Sequence, residues 1–300
     1  MTSEGAVIEI DDLHVRYGKA EAVRGLRLRV EPGRCHALFG RNGAGKTTTL
    51  KALLGLAPVD RGTLRLFGLD PWAQEAQVKG RLAFVPDAPG FYPWMSVREA
   101  LEYAASFRPR WNRELEQHLL AKFGLDPAAP AKGLSRGEKT QLALIAAIAA
   151  DPELLILDEP TSGLDPIVRR QFVEAVISAF QDRNPERRTL LISTHLISEL
   201  EGVIDSFTVV DGGRDVMTLG ADEARGRFQR IRGWFEDQAP ASFPIRTLQP
   251  PRREGRMLEV LVDHQPEEAH RWLTAAGASR VEATALSLEE IFLTAAARTP

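Results

Sequence analysis

Apolar and polar positions alternate along residues 7–36: Leu26, Leu28 and Val30 fall on one face, Arg27 and Arg29 on the other. This period of two predicts antiparallel strands, with Glu31-Pro32-Gly33 as a turn. The pattern then changes. Cys35–Phe39 is a short unbroken apolar run that ends at Gly40, and a glycine-rich loop leads from it into helical spacing over Thr47–Leu56. A buried strand, a loop and a helix in that order open a βαβ unit. Leu154–Leu157 and Thr189–Ser193 are two more buried strands, and Val209–Val210 runs into Asp211-Gly212-Gly213, a hairpin turn.

Helical spacing dominates the middle of the chain, roughly 88–150. Val97–Phe107 is a helix that stops before Pro109, and Asn112 is the N-cap of another over Arg113–Phe123, closed by Gly124. Asp165 followed by Pro166 reads as an N-cap with proline in the first turn, opening a helix over Ile167–Gln181. After Gly220 come strands at Phe228–Glu236 and Met257–Asp263, separated by a stretch holding Pro240, Pro244, Pro250, Pro251, Arg252 and Arg253. A helix near Glu267–Ala276, a strand near Arg280–Ala285 and a helix near Leu288–Ala297 follow. The expected fold is α/β: a parallel core with an antiparallel β portion and an inserted helical region over 1–220, then a small α/β appendage over 221–300.

Composition narrows the class. With 38 Lys+Arg against 41 Asp+Glu, the chain of 300 residues carries a formal charge of −3, which argues against a nucleic-acid partner or a polybasic membrane anchor. One cysteine, Cys35, excludes an internal disulfide framework, fits a reducing compartment and is read as an inert buried residue. The longest uncharged apolar run, Leu142–Ala150, is about half of the ~20 residues a spanning helix needs. The N-terminus holds Glu4, Glu9, Asp11 and Asp12 without an early basic residue, unlike a secretory signal. The expected location is therefore the cytoplasm.

Gly40-Arg-Asn-Gly-Ala-Gly45-Lys46-Thr47 matches G-x-x-x-x-G-K-[ST], set between a buried strand and a helix. Glycine tolerates the positive φ that turns backbone N–H groups inward around a phosphate, and the helix N-terminus adds partial positive charge. Lys46 is expected to reach the β- and γ-phosphates and the Thr47 hydroxyl to ligate Mg²⁺. Asp158-Glu159 closes the strand Leu154–Leu157, at the edge where parallel sheets face their ligands. There Asp158 is expected in the Mg²⁺ shell, and Glu159 is expected to polarise an attacking water.

Between these motifs stands Leu134-Ser135-Arg136-Gly137-Glu138; beyond them come Thr161-Ser162-Gly163-Leu164-Asp165 and Ser193-Thr194-His195. Their combination and order resemble the nucleotide-binding subunit of ATP-binding cassette (ABC) transporters over about residues 7–220. The resemblance implies a P-loop NTPase fold with a RecA-like core, ATP and Mg²⁺ as cofactors, and hydrolysis by water attacking the γ-phosphate. It places Tyr17 on the adenine and Gly40, Asn42, Gly43, Gly45, Lys46, Thr47 and Thr48 around the phosphates. It also implies that Ser135 and Gly137 bind the γ-phosphate of ATP held by a second nucleotide-binding domain, in a homodimer closing head-to-tail. Asp165 would belong to the loop linking the two sites, and His195 would contact the γ-phosphate. Read from the residues alone, Ser135-x-x-Glu138 before an apolar run is a capping box, so the same helix start can cap itself or grip a phosphate.

Three positions depart from the family's pattern. Asp87 stands where the family has a glutamine that touches Mg²⁺; its oxygen can still ligate the ion, but it cannot donate as an amide does. Arg136 replaces a glycine and Glu138 a glutamine, so Glu138 adds negative charge near an incoming γ-phosphate unless Arg136 offsets it. The stretch Pro86–Glu99 and the ending Ala285–Phe292 resemble subunits of ABC-2-type exporters, which implies export through a separate membrane permease, the chain lying peripherally on the inner face of the cell membrane. Phe91, Tyr92 and Trp94 either dock a helix of that permease or pack within the helical region. The alternative function is a soluble ATPase of the same class acting in translation, repair or cofactor assembly.

Overall fold

The computed structural model describes residues 5–180, 184–198 and 200–296. The chain forms two compact units, Met1–Leu196 with Gly202–Val216, and Ile197–Glu201 with Met217–Pro300.

In the first unit the alternating N-terminal segment folds as β1 (Ile8–Tyr17) and β2 (Ala20–Val30), paired antiparallel and joined on the other side of β1 by β4 (Arg61–Leu66). The register sets Ile8 opposite Val30 and Ile10 opposite Leu28, so the apolar positions share the face that enters the core with Leu50 and Leu53. The turn at Pro32-Gly33 separates this sheet from β3 (Cys35–Phe39), in which every residue is buried. Such unbroken apolar runs suit strands covered on both faces. β3 lies inside a six-stranded sheet of order β5-β6-β7-β3-β8-β9, made with β5 (Leu82–Val85), β6 (Leu154–Asp158), β7 (Thr189–Thr194), β8 (Ser206–Asp211) and β9 (Arg214–Gly220). β5, β6, β7, β3 and β8 run parallel. The register puts Phe39 beside Thr194, Asp158 beside Ser193 and Val85 beside Leu157. The carboxyl ends of four strands therefore meet at one edge.

The helix after β3 is α1 (Lys46–Leu53), three residues shorter at its end than its periodicity suggests. Gly55 turns left-handed there (φ 68°) and Leu56 N–H reaches back to Lys51 O, a Schellman-type closure. Five-residue α2 (Glu75–Lys79) precedes β5. In the middle stretch, α3 (Val97–Ser106) begins with a Ser96–Glu99 capping box, and α4 (Arg113–Phe123) is capped by the Asn112 side chain and ends on left-handed Gly124. Both pack on α5 (Arg136–Ala149), whose alanine-rich sequence suits a buried helix. α6 (Pro166–Ala175) is capped by Asp165, but its last described turn, Val176–Phe180, widens to π spacing; Gln181 lies outside the described residues. Cys35 is buried, and burial pushes its thiol pKa up, away from reactivity.

The second unit contains α7 (Ala221–Arg227) and a four-stranded antiparallel sheet, β11-β12-β10-β13. Its strands are β10 (Phe228–Phe235), β11 (Arg252–Glu254), β12 (Met257–Asp263) and β13 (Ala278–Ala285), with β11 rising from the proline-rich stretch between the two expected strands. α8 (Pro266–Ala275) lays Ala269 and Leu273 on Ile231, Leu258, Val260 and Val262. α9 (Leu288–Ala296) ends the description; Ala297, expected in this helix, lies outside it.

Candidate functional site

The parallel register decides where the chemistry collects. Gly40 follows β3, Asp158-Glu159 close β6, His195 follows β7 and Asp87 follows β5, so all of them reach the same edge. A cleft of about 330 Å³ opens there, lined by Arg41, Asn42, Gly43, Ala44, Gly45, Lys46, Thr47 and Thr48 of the loop, and by Ala22, Asp87, Glu159, Ser162 and His195.

Backbone shape explains the glycines. Gly45, which precedes α1, sits at φ 107°, and a side chain there would also press within 2.7 Å of Ala22 O. Gly40 is not in the left-handed region; its reason is space, because a Cβ would lie 2.5 Å from Val210 O. Lys46, 5 % exposed, curls back to donate from Nζ to Gly40 O at 2.7 Å and lies 3.0 Å from Glu159 Oε1. The other Glu159 oxygen meets His195 Nδ1 at 2.7 Å and accepts from His195 N–H at 3.2 Å. Glu159 itself holds φ 46°, an unusual conformation for a residue with a side chain. Such strain gathers at functional positions.

Asp158 differs from Glu159. It is buried, accepts a hydrogen bond from Thr47 Oγ1 at 3.2 Å, and has no cationic partner among the described residues. Burial raises its pKa above the usual carboxylate range, and the charges of Glu159 and Asp87 push the same way. A buried carboxylate beside a hydroxyl, with two further acids nearby and no side-chain counter-charge of its own, is a donor set that suits a hard divalent cation. No cluster of three acidic, histidine or cysteine side chains holds an ion by itself among the described residues. Thr47, Asp158 and Asp87 therefore fit Mg²⁺ if nucleotide oxygens complete its shell.

The remaining expected residues lie elsewhere. Tyr17 is half exposed at the end of β1 and does not line the cleft. Ser135 accepts from Glu138 N–H at 3.2 Å while the Glu138 carboxylate accepts from Ser135 N–H at 2.8 Å, so the capping box is formed. Gly137 lies against the start of α6, where a Cβ would stand 3.4 Å from Val168 Cγ1. Asp165 uses its carboxylate to cap α6 through Ile167 and Val168 N–H groups. Of the two possibilities left open for Glu138, the structure does not hold the one in which Arg136 offsets it. Glu138 is engaged by its own helix start, and Arg136 Nη2 instead pairs with Asp87 Oδ1 at 2.8 Å. Sequence reasoning also missed Ala22, Arg41, Ala44 and Ser162 as lining residues; Ala22 reaches the cleft through the tertiary fold alone.

The aromatic segment is exposed. Tyr92 stacks on Trp94 at 4.7 Å and meets Tyr103 edge-on at 5.6 Å, and Tyr103 meets Phe107 at 5.0 Å. Trp94 and Phe107 are 74 % and 69 % exposed, while Phe91 is half-buried. No helix among the described residues is long and apolar enough to cross a membrane.

Residues 23–162 match the sequence pattern of the family described as ABC transporter. The chain is 38% identical over 216 residues to the Nod factor export ATP-binding protein I of Burkholderia orbicola, which covers 70% of each chain. It is 32% identical over 223 residues to the bacitracin transport ATP-binding protein of Bacillus licheniformis, covering 74% of this chain and 72% of that one. A solved ATP-binding subunit of an ABC transporter superposes with a TM-score of 0.66 at 28% identity, over 73% of this chain and 92% of its own.

Proposed function

This chain belongs to the ABC transporter family and is an ATPase of that family, and we propose that it energises export through a separate membrane permease, working as a homodimer on the cytoplasmic face. Relatives named for Nod factor export and bacitracin transport support this over a soluble role in translation, repair or cofactor assembly. Within the chain, residues 1–220 would be the ATP-binding domain, with its helical subdomain about 88–150, and 221–300 an accessory domain.

One observation carries the site assignment: Glu159 joins Lys46 by an ion pair and His195 by a hydrogen bond at the mouth of the phosphate loop. Lys46 holds its charge where a nucleotide's β- and γ-phosphates would lie, and turning to them would free Glu159 Oε1. Glu159 would then accept a proton from water attacking the γ-phosphate, with His195 N–H and Nδ1 orienting the carboxylate. Thr47, Asp158 and Asp87 would hold Mg²⁺, which supplies charge neutralisation for the developing phosphate negative charge. Gly40, Asn42, Gly43, Gly45 and Thr48 would cradle the phosphates by backbone N–H groups, and Tyr17 would stack on adenine. Ser135, Gly137 and Asp165 stand at two helix starts outside this chain's own cleft, as residues serving ATP bound to a second copy would. The exposed ladder Tyr92-Trp94-Tyr103-Phe107 is the surface we assign to the permease.

Glu159→Gln tests the assignment. It removes the base but keeps the side chain's length, so hydrolysis should fall by about 10²-fold or more while ATP still binds and a closed dimer accumulates on gel filtration. Normal turnover in that variant would reject Glu159 as the base.

A further inference from the structure

Two residues that stand apart from the catalytic cluster meet each other: the Arg136 guanidinium and the Asp87 carboxylate are 2.8 Å apart, both about half exposed. Asp87 lines the nucleotide cleft, and its charge contributes to the raised pKa of Asp158. Arg136 is the first residue of α5, directly after Ser135. Its guanidinium also lies close against the loop before α6: a Cβ built on Gly163 would be 3.0 Å from Arg136 Nη1 and 3.2 Å from Cζ. Gly163 is left-handed there (φ 70°). One side chain thus touches the cleft wall, the start of α5 and the loop that ends in Asp165.

The charges give this contact a purpose. Asp87, Asp158 and Glu159 crowd one end of the cleft, and a triphosphate brings three to four more negative charges. Glu159 is balanced by Lys46 and hydrogen-bonded to His195, and Asp158 is left for a cation. Among the described residues Asp87 is paired only with Arg136.

We propose that Arg136 is a positioning residue of its own chain's nucleotide site. It neutralises and holds Asp87 at the cleft, and through that pair it reports cleft occupancy to the start of α5 and to the loop 161–165. The inference rests on ATP occupying the cleft.

The test compares the wild-type chain with Arg136→Ala, Asp87→Asn and the double variant, measuring ATP affinity calorimetrically in EDTA at low ionic strength. Both side chains are half exposed, so the variants are expected to fold. Arg136→Ala leaves Asp87 unbalanced and should weaken ATP by about threefold to tenfold, an effect that shrinks as salt is added. Asp87→Asn added to it should bring affinity back within about twofold of wild type, because the offending charge is gone. If the double variant stays as weak as Arg136→Ala, or if Arg136→Ala is not weaker, the proposal is overturned in favour of a packing role against Gly163. Hydrogen exchange supplies the second readout. ATP should protect amides 136–140 in the wild type, and that response should be lost in either single variant; its persistence in both would refute the reporting role. A wild-type chain that binds no ATP would sink the nucleotide site, and this inference with it.

Discussion

Replacing Lys46 by methionine separates two roles that one ammonium group plays. Methionine keeps most of the stem volume, so packing of the segment between Gly40 and β6 is little changed. What is lost is charge. In the free protein Lys46 Nζ lies 3.0 Å from Glu159 Oε1, with the two side chains 5 % and 13 % exposed. At that distance and an effective dielectric of about 20, the gross attraction is about 5 kcal/mol. Desolvation of both ions offsets much of it, yet removing one partner strands the other, a loss of ~3–5 kcal/mol in closed interiors. This cleft admits water and His195 remains beside Glu159, so the lower end, about 3 kcal/mol, is the expected destabilisation.

The assay is urea unfolding without nucleotide, with ATP binding followed by calorimetry on the same samples. Lys46→Met should lower the unfolding midpoint and abolish measurable ATP binding. Lys46→Met combined with Glu159→Gln should recover the midpoint to within about 1 kcal/mol of the wild type, since no unpaired ion is then left, and should still fail to bind ATP. The reasoning is refuted if the double variant is as unstable as the single, because the cost would then come from packing. ATP binding by either variant would refute the role given to Lys46.

Gly40→Ala adds a methyl 2.5 Å from Val210 O and 3.1 Å from Ala44 Cβ, so the loop must shift; about 1–3 kcal/mol of stability and at least tenfold in ATP affinity should be lost, checked by the same two measurements. Asp158→Asn should raise the stability of the nucleotide-free protein at neutral pH while abolishing Mg²⁺ dependence of binding. The sign follows from the raised pKa: the native state favours the protonated acid, so stability is greatest below the unfolded value and falls as pH rises through the folded one. The asparagine variant should lack that decline in a pH series of unfolding midpoints, and a lower midpoint at neutral pH would contradict the electrostatic account. Trp94→Ala, at a 74 % exposed position, should leave ATP binding unchanged and reduce transport and permease-stimulated hydrolysis in reconstituted membranes.

The sequence exposed this fold where local physics decides local structure. Cys35–Phe39 and Leu154–Asp158 are strands because unbroken apolar runs need cover on both faces, and Asn112, Ser135 and Asp165 cap helices because their side chains satisfy free N–H groups. The phosphate loop is legible for the same reason: its glycines answer steric demands within one short segment. Tertiary strain is less visible. The widening of α6 at Val176–Phe180 and the strand at Arg252–Glu254 have no signal in periodicity. Nor does the approach of Ala22 to the cleft, since β2 lies in a different sheet from the loop it helps to line.

The pairing of charges was hidden for a related reason. Asp87 and Arg136 are 49 residues apart in the chain, and each, taken alone, looks like an extra charge set beside a phosphate site. An isolated acid there would repel the nucleotide; an isolated arginine at the start of α5 would invite any anion. The parallel register of β5 and β6 brings the cleft end of β5 beside Asp158, while α5 packs on β5 and brings its first turn within reach of Asp87. The pair is therefore a property of the fold rather than of either motif. The same logic separates the three acids at the cleft. Glu159 is balanced from the loop, Asp87 from a helix start, and Asp158 by no side-chain cation among the described residues. Only the last is without a side-chain counter-charge until a metal ion arrives, Asp87 joining that shell from its pair with Arg136, and this assigns different chemistry to three carboxylates that composition treats as equivalent.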